Sequence, residues 1–90
     1  MDEKKYIIKV VYDLNGNKKP ERIGRITKRP FLTKYGNVNA EYISLADGTP
    51  YEGKMLSTSS VTEWFEDGKR ILFGTLNSKY IFEEVADEQS

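Results

Sequence analysis

The side chains most able to do chemistry fall into one basic stretch and one acidic stretch. Seven cations (Lys18, Lys19, Arg22, Arg25, Lys28, Arg29 and Lys34) lie between 18 and 34 against a single acid, Glu21, with Phe31 and Tyr35 alongside. Cations hold phosphates and flat rings stack on bases, so this interleaving suits a single-stranded nucleic-acid groove. Placed opposite acids on a neighbouring strand, the same residues would be a solvated face that blocks edge-to-edge aggregation. Residues 1–40 hold ten Lys and Arg against four acids, a balance of +6, and residues 41–90 hold four against ten, a balance of −6. The sequence pI of about 6.3 falls short of the strongly basic footprint of nucleic-acid domains. In the acidic half, Glu63, Trp64, Glu66 and Asp67 form a second candidate, suited to a cationic protein partner.

Other constellations fail on inspection. Asp13-Leu14-Asn15-Gly16-Asn17 opens like a calcium loop, but Lys18 stands where that loop needs Gly and Gly24 where it needs Glu. Ser57-Thr58-Ser59-Ser60 lacks the glycine-rich order of a phosphate cradle, and Lys54 precedes it rather than following. Of the carboxylate pairs, Glu66-Asp67 lies at a turn and Glu83-Glu84 points to opposite faces of a strand. The chain has no His and no Cys, which removes the imidazole base, the thiolate nucleophile and the usual zinc ligands. The expectation is therefore no enzyme, no metal and no cofactor. No apolar run reaches a membrane span of roughly 20 residues, and the charged start lacks a signal-peptide core, so a cytoplasmic protein without membrane contact is expected.

The elements that must position these residues are strands. Residues 6–12 are β-branched or aromatic apart from Lys9. Asn15-Gly16 then predicts a type I′ hairpin turn. A second strand is predicted over 22–28 with a bulge at Gly24, because Ile23 and Ile26 are three apart. Pro30 and Gly36 bracket a connection. A third strand over 38–45 puts Val38, Ala40 and Tyr42 on one face. A fourth over 54–65 bends or bulges within 57–60, although Ser60-Val61-Thr62-Glu63 also resembles a helix capping box. The last pair, 70–76 and 79–85, is joined by Asn77-Ser78. Trp64, Phe65, Phe73, Tyr80 and Phe82 read as core, yet one of the neighbours Trp64 and Phe65 must face outward on an extended strand. This pattern predicts one all-β domain over 1–85, a small antiparallel barrel or sandwich of five to six strands of SH3-like or OB-like kind, with an acidic disordered tail at 86–90.

Thr58-Ser59-x-Val61, followed by Thr75-x-Asn77-Ser78-x-Tyr80-x-Phe82, resembles short uncharacterised proteins of bacteria and their phages and plasmids. That resemblance implies a small β domain of mobile-element type with no catalytic residues to carry over. Three expectations follow. The first is a non-enzymatic module binding nucleic acid or a nucleoprotein through 18–34. The second is a protein-interaction module, such as an anti-CRISPR-like, phage-encoded inhibitor of a host defence enzyme, docking through its acidic half. The third is self-association through an uncovered edge of the 6–12 strand, leaving monomer and small homo-oligomer both open.

Overall fold

The computed structural model describes residues 4–13 and 15–85; the tail expected at 86–90 lies outside the described residues. In chain order the elements are β1 (Lys5–Asp13), a 3-10 turn (Pro20–Arg22), β2 (Ile26–Lys28), β3 (Phe31–Leu32), β4 (Asn37–Ser44), β5 (Met55–Asp67), β6 (Arg70–Thr75) and β7 (Ser78–Glu84). Six of the strands close an antiparallel barrel in the order β1-β7-β6-β5-β4-β2, sealed by the β1–β2 and β2–β4 ladders. The short β3 lies against β4 beside β2. Between β2 and β3 stand Arg29 and Pro30, and Pro30 has no N–H to continue a ladder.

The second strand thus begins at Ile26 rather than residue 22, and the connection expected over 30–36 contains β3. The bulge expected at Gly24 is present. Gly24 N–H donates to the Ile8 carbonyl at 2.8 Å and Ile8 N–H donates to the Arg25 carbonyl at 3.0 Å, so two residues oppose one. The Asn15-Gly16 turn differs from type I′, because only Gly16 takes a positive φ. Gly16 N–H reaches the Asp13 carbonyl at 3.0 Å and Asp13 N–H reaches the Asn17 carbonyl at 2.9 Å, the longer hairpin in which a left-handed glycine follows a type I turn. Loops 33–37 and 45–49 repeat these two hydrogen bonds. The last hairpin turns on Leu76 and Asn77, with Ser78 already in β7, because the Thr75 hydroxyl accepts the Ser78 N–H at 3.0 Å and donates to the Ser78 carbonyl at 3.1 Å.

Alternation fills the barrel. Val38, Ala40 and Tyr42 share one face, as expected, and that face points inward with Ile8, Val11, Leu56, Ile71 and Phe82. A ladder of rings crosses β5, β6 and β7: Trp64 to Phe73 at 5.4 Å and Phe73 to Tyr80 at 5.0 Å between centroids, both stacked. Trp64 therefore faces inward, while Phe65, expected in the core, faces outward at 60% exposure. The 6–12 strand is no uncovered edge, since β1 is paired on both sides.

A Cβ at Gly24 would lie 2.8 Å from the Ala46 Cβ, and Gly24 holds φ +94°. Gly24→Ala is expected to lower the melting temperature more than Gly16→Ala. At Gly16 a Cβ meets nothing within 4 Å, so its cost is the left-handed penalty of about 1–2 kcal/mol alone. Ala46→Gly in the Gly24→Ala background should recover the difference; equal losses at the two glycines would contradict this packing.

Candidate functional site

The basic segment does not form one open cationic strip. Arg22 donates to the Tyr80 hydroxyl at 3.2 Å. Arg25 lies over a tilted pair of rings that touch each other at 5.2 Å, 5.3 Å from the Tyr42 centroid and 5.4 Å from that of Tyr51. Lys28 pairs with Glu41 at 3.5 Å. Arg29 donates to the Tyr6 hydroxyl and to Glu66 Oε1, both at 2.9 Å. Lys18 and Lys19 make no ion pair among the described residues. Lys34 lies 5.3 Å from the ring centroid of Tyr35, which is 80% exposed. The +6 and −6 halves interleave: β1 runs beside β7 and β2 beside β4, so Lys4–Glu84, Lys9–Glu83, Lys28–Glu41 and Arg29–Glu66 each join one half to the other. Paired charges cancel within a Debye length of about 8 Å.

One shallow groove remains on this side. It encloses about 360 Å³ and is lined by Phe31 and Met55 with Lys4, Lys28, Arg29 and Glu41. Phe31 and Met55 are each about half exposed.

The acidic candidate is divided between two faces. Trp64 and Glu66 point inward at one mouth of the barrel, where Trp64 Nε1 donates to Glu66 Oε2 at 3.1 Å and Arg29 bridges Glu66 to Tyr6. Glu63 and Asp67 point outward and pair with Lys79 at 3.8 Å and Arg70 at 3.3 Å. Between them stands Phe65. Register carries this outer row across four strands: Phe65 opposes Leu72, Leu72 opposes Ile81, and Ile81 opposes Val10. Lys79–Glu63 borders the row on one side, Arg70–Asp67 and Lys9–Glu83 on the other. A groove of about 370 Å³ runs along it, with Tyr12, Glu63, Phe65, Leu72, Lys79 and Ile81 among its walls. Gly74 leaves room for the Glu63 side chain, whose carboxylate lies over it, 2.9 Å from where a Cβ would stand.

The remaining motifs resolve into structure. Asp13 spends a carboxylate oxygen on the Asn15 and Asn17 N–H groups, both at 2.9 Å. In the 57–60 run, Thr58 Oγ1 accepts the Val38 N–H at 3.0 Å and Ser57 Oγ accepts from Asn37 at 3.1 Å. No cluster of three or more His, Cys, Asp or Glu among the described residues has metal-binding geometry. No helix of the described residues is long and apolar enough to cross a membrane. Comparison with protein-family models, with curated proteins and with solved structures finds no match to this chain.

The Arg29 guanidinium, with a second hydrogen bond from the Trp64 indole, holds the Glu66 carboxyl below the usual glutamate range. A depressed pKa contributes stability that is whole above the unfolded value, about 4.3, and is lost as the pH falls through the folded value. Glu66→Gln is therefore expected to lose less stability than wild type between about pH 7 and pH 3, read as the shift in urea midpoint. Parallel pH profiles for the two chains would contradict the pairing.

Proposed function

We propose that this protein is a non-enzymatic binding module that docks a protein partner on the outer face of β5, β6, β7 and β1. The observation that carries this reading is the outward row Val10, Ile81, Leu72 and Phe65, half-buried in its first three members and exposed at Phe65, with ion pairs along both sides. An apolar centre with a polar, solvent-exposed rim is the anatomy of a protein interface. Phe65 is its anchor, a large ring at the exposed end of the row and the wall of the adjoining groove. The resemblance of the segment spanning 58–82 to short phage- and plasmid-borne proteins agrees with an inhibitor of a host enzyme, a partner whose cationic surface would meet Glu63 and Asp67.

A second reading takes single-stranded nucleic acid as the ligand. The groove around Phe31 and Met55 favours it, since Lys4, Lys28 and Arg29 stand on its rim. Against it stands the pairing of those cations with Glu84, Glu41 and Glu66, which a polyanion would have to displace.

Fluorescence anisotropy of labelled single-stranded DNA and RNA separates the two readings. The expected result is no change at about 50 mM salt; binding that collapses by about 200 mM would return the function to the basic side. Affinity capture then compares wild type with Phe65→Lys and Ile81→Lys. A protein held by wild type and lost at least tenfold by either variant, with melting temperature unchanged, is the expected outcome. Equal capture by all three chains would contradict the assignment of the outer face.

A further inference from the structure

The thirteen residues of β5 are shared between two neighbours that scarcely overlap along it. β4 pairs with Met55, Leu56, Ser57 and Ser60, and β6 pairs with β5 from Val61 to Asp67. The β4-side contacts end where the Gly36 carbonyl accepts the Val61 N–H at 2.8 Å. Beyond that point the β4 side of β5 has no strand beside it among the described residues. Gly68, at φ +60°, and Lys69 close a two-residue hairpin in which Asp67 opposes Arg70. In such a hairpin the closing pair carries the ladder bonds, and an antiparallel ladder alternates. Asp67 and Phe65 therefore bond to β6, and Trp64 and Glu66 turn their N–H and C=O groups to the open side. Most barrels leave no such edge.

We infer that this edge is a strand-addition site: an extended basic segment of the partner protein pairs antiparallel along 62–67 and lengthens the β5-β6-β7-β1 sheet by one strand. The inference rests on the protein-docking reading above and names its mode. Backbone hydrogen bonds supply the pairing and alternate side chains supply the selectivity. The outward positions of the edge read Glu63, Phe65, Asp67. A strand laid beside them is answered in kind by a basic, an apolar and a basic residue at alternate positions. Its apolar residue would extend the row from Val10 to Phe65 by one member. Glu63 and Asp67 are already paired, but those pairs are more than half exposed at 3.8 and 3.3 Å. Exposed pairs are worth about 0–1 kcal/mol, so each carboxylate can accept a second cation. The same charges exclude a second copy of this chain. Two such edges laid antiparallel would bring together Glu63, Glu66 and Asp67 from both, without a cation in either 61–67 segment. The other half-open stretch of β5, 56–59 on the β6 side, carries hydroxyls and no charge.

The test uses the whole chain and synthetic nine-residue strand peptides with lysine, isoleucine and lysine at alternate positions and threonine between them. Amide exchange and chemical shifts of the protein are read by NMR during titration. The expected result is at least tenfold slower exchange at Trp64 and Glu66 on binding. N-methylation of alternate peptide amides along one edge should abolish binding, methylation along the other edge should leave it intact, and replacing the lysines by glutamates should weaken it at least tenfold. Two results overturn strand addition: no shift at about 1 mM peptide, or binding that survives methylation of either edge. In the second case, loss of binding with Phe65→Lys would leave the outer-face reading standing without the added strand; persistence with that variant would remove both. A concentration-dependent dimer that protects Trp64 and Glu66 without peptide would overturn the choice of a basic partner.

Discussion

One strand has to serve two neighbours, and the rest of the barrel follows from that. β5 is thirteen residues long, whereas β4 has eight and β6 has six. Neither neighbour spans it, so the ladder passes from β4 to β6 near Ser60 and Val61. Both handovers go through register shifts, one between Asn37 and Asn39 on the β4 side and one between Val61 and Glu63 on the β6 side. Bulges of this kind bend a strand and increase its twist, which a small six-stranded barrel requires to close. The shift at Val61/Glu63 also decides which aromatic enters the core. It sends Trp64 inward onto Phe73 and leaves Phe65 outside, so a core contact and an exposed ring have the same origin.

Electrostatics follow the strand order. The two halves of the sequence differ by twelve charges, yet β1 beside β7 and β2 beside β4 bring opposite signs into register. Ion pairs of this exposure contribute little to stability. Their larger effect is on the field, which short-range pairing removes beyond a few ångströms. Arginines that read as phosphate ligands serve the tyrosines instead: Arg22 on Tyr80, Arg25 over Tyr42 and Tyr51, Arg29 on Tyr6. Arg22 and Arg29 satisfy the hydroxyl ends of buried tyrosines, and Arg25 lies over the faces of two rings, one buried and one half-buried. With the charges paired, the apolar surface left is Phe65 with its half-buried neighbours on the outer row, and Phe31, Leu32 and Met55 on the basic side.

Much of the fold was legible in the chain, and the limits have physical causes. Runs of β-branched and aromatic residues mark the long strands, and alternation puts Val38, Ala40 and Tyr42 on one face of β4, the face that the barrel turns inward. The bulge at Gly24 followed from the spacing of Ile23 and Ile26. β3 leaves no mark in the sequence because two residues between Pro30 and a turn are too few to show a period. Asn15-Gly16 misled about turn type because Asp13 caps two backbone amides of that loop and favours the longer hairpin. The candidate site was harder. Neighbouring Trp64 and Phe65 announced that one ring faces out, but a bulge three residues earlier chose which. No local pattern tells that Arg29 will meet Glu66, thirty-seven residues away. Nor does any show that the second half of β5 lacks a strand on its β4 side among the described residues, since that depends on where two other strands end.

Amide hydrogen exchange on the free protein, resolved by residue across β5, tests the central claim most directly. An open edge predicts alternation: Phe65 and Asp67, bonded to β6, exchange slowly, and Trp64 and Glu66, turned to the open side, exchange at rates close to those of exposed loop amides. Uniform slow exchange from Glu63 through Asp67 would mean that this edge of β5 is covered, and would contradict the account.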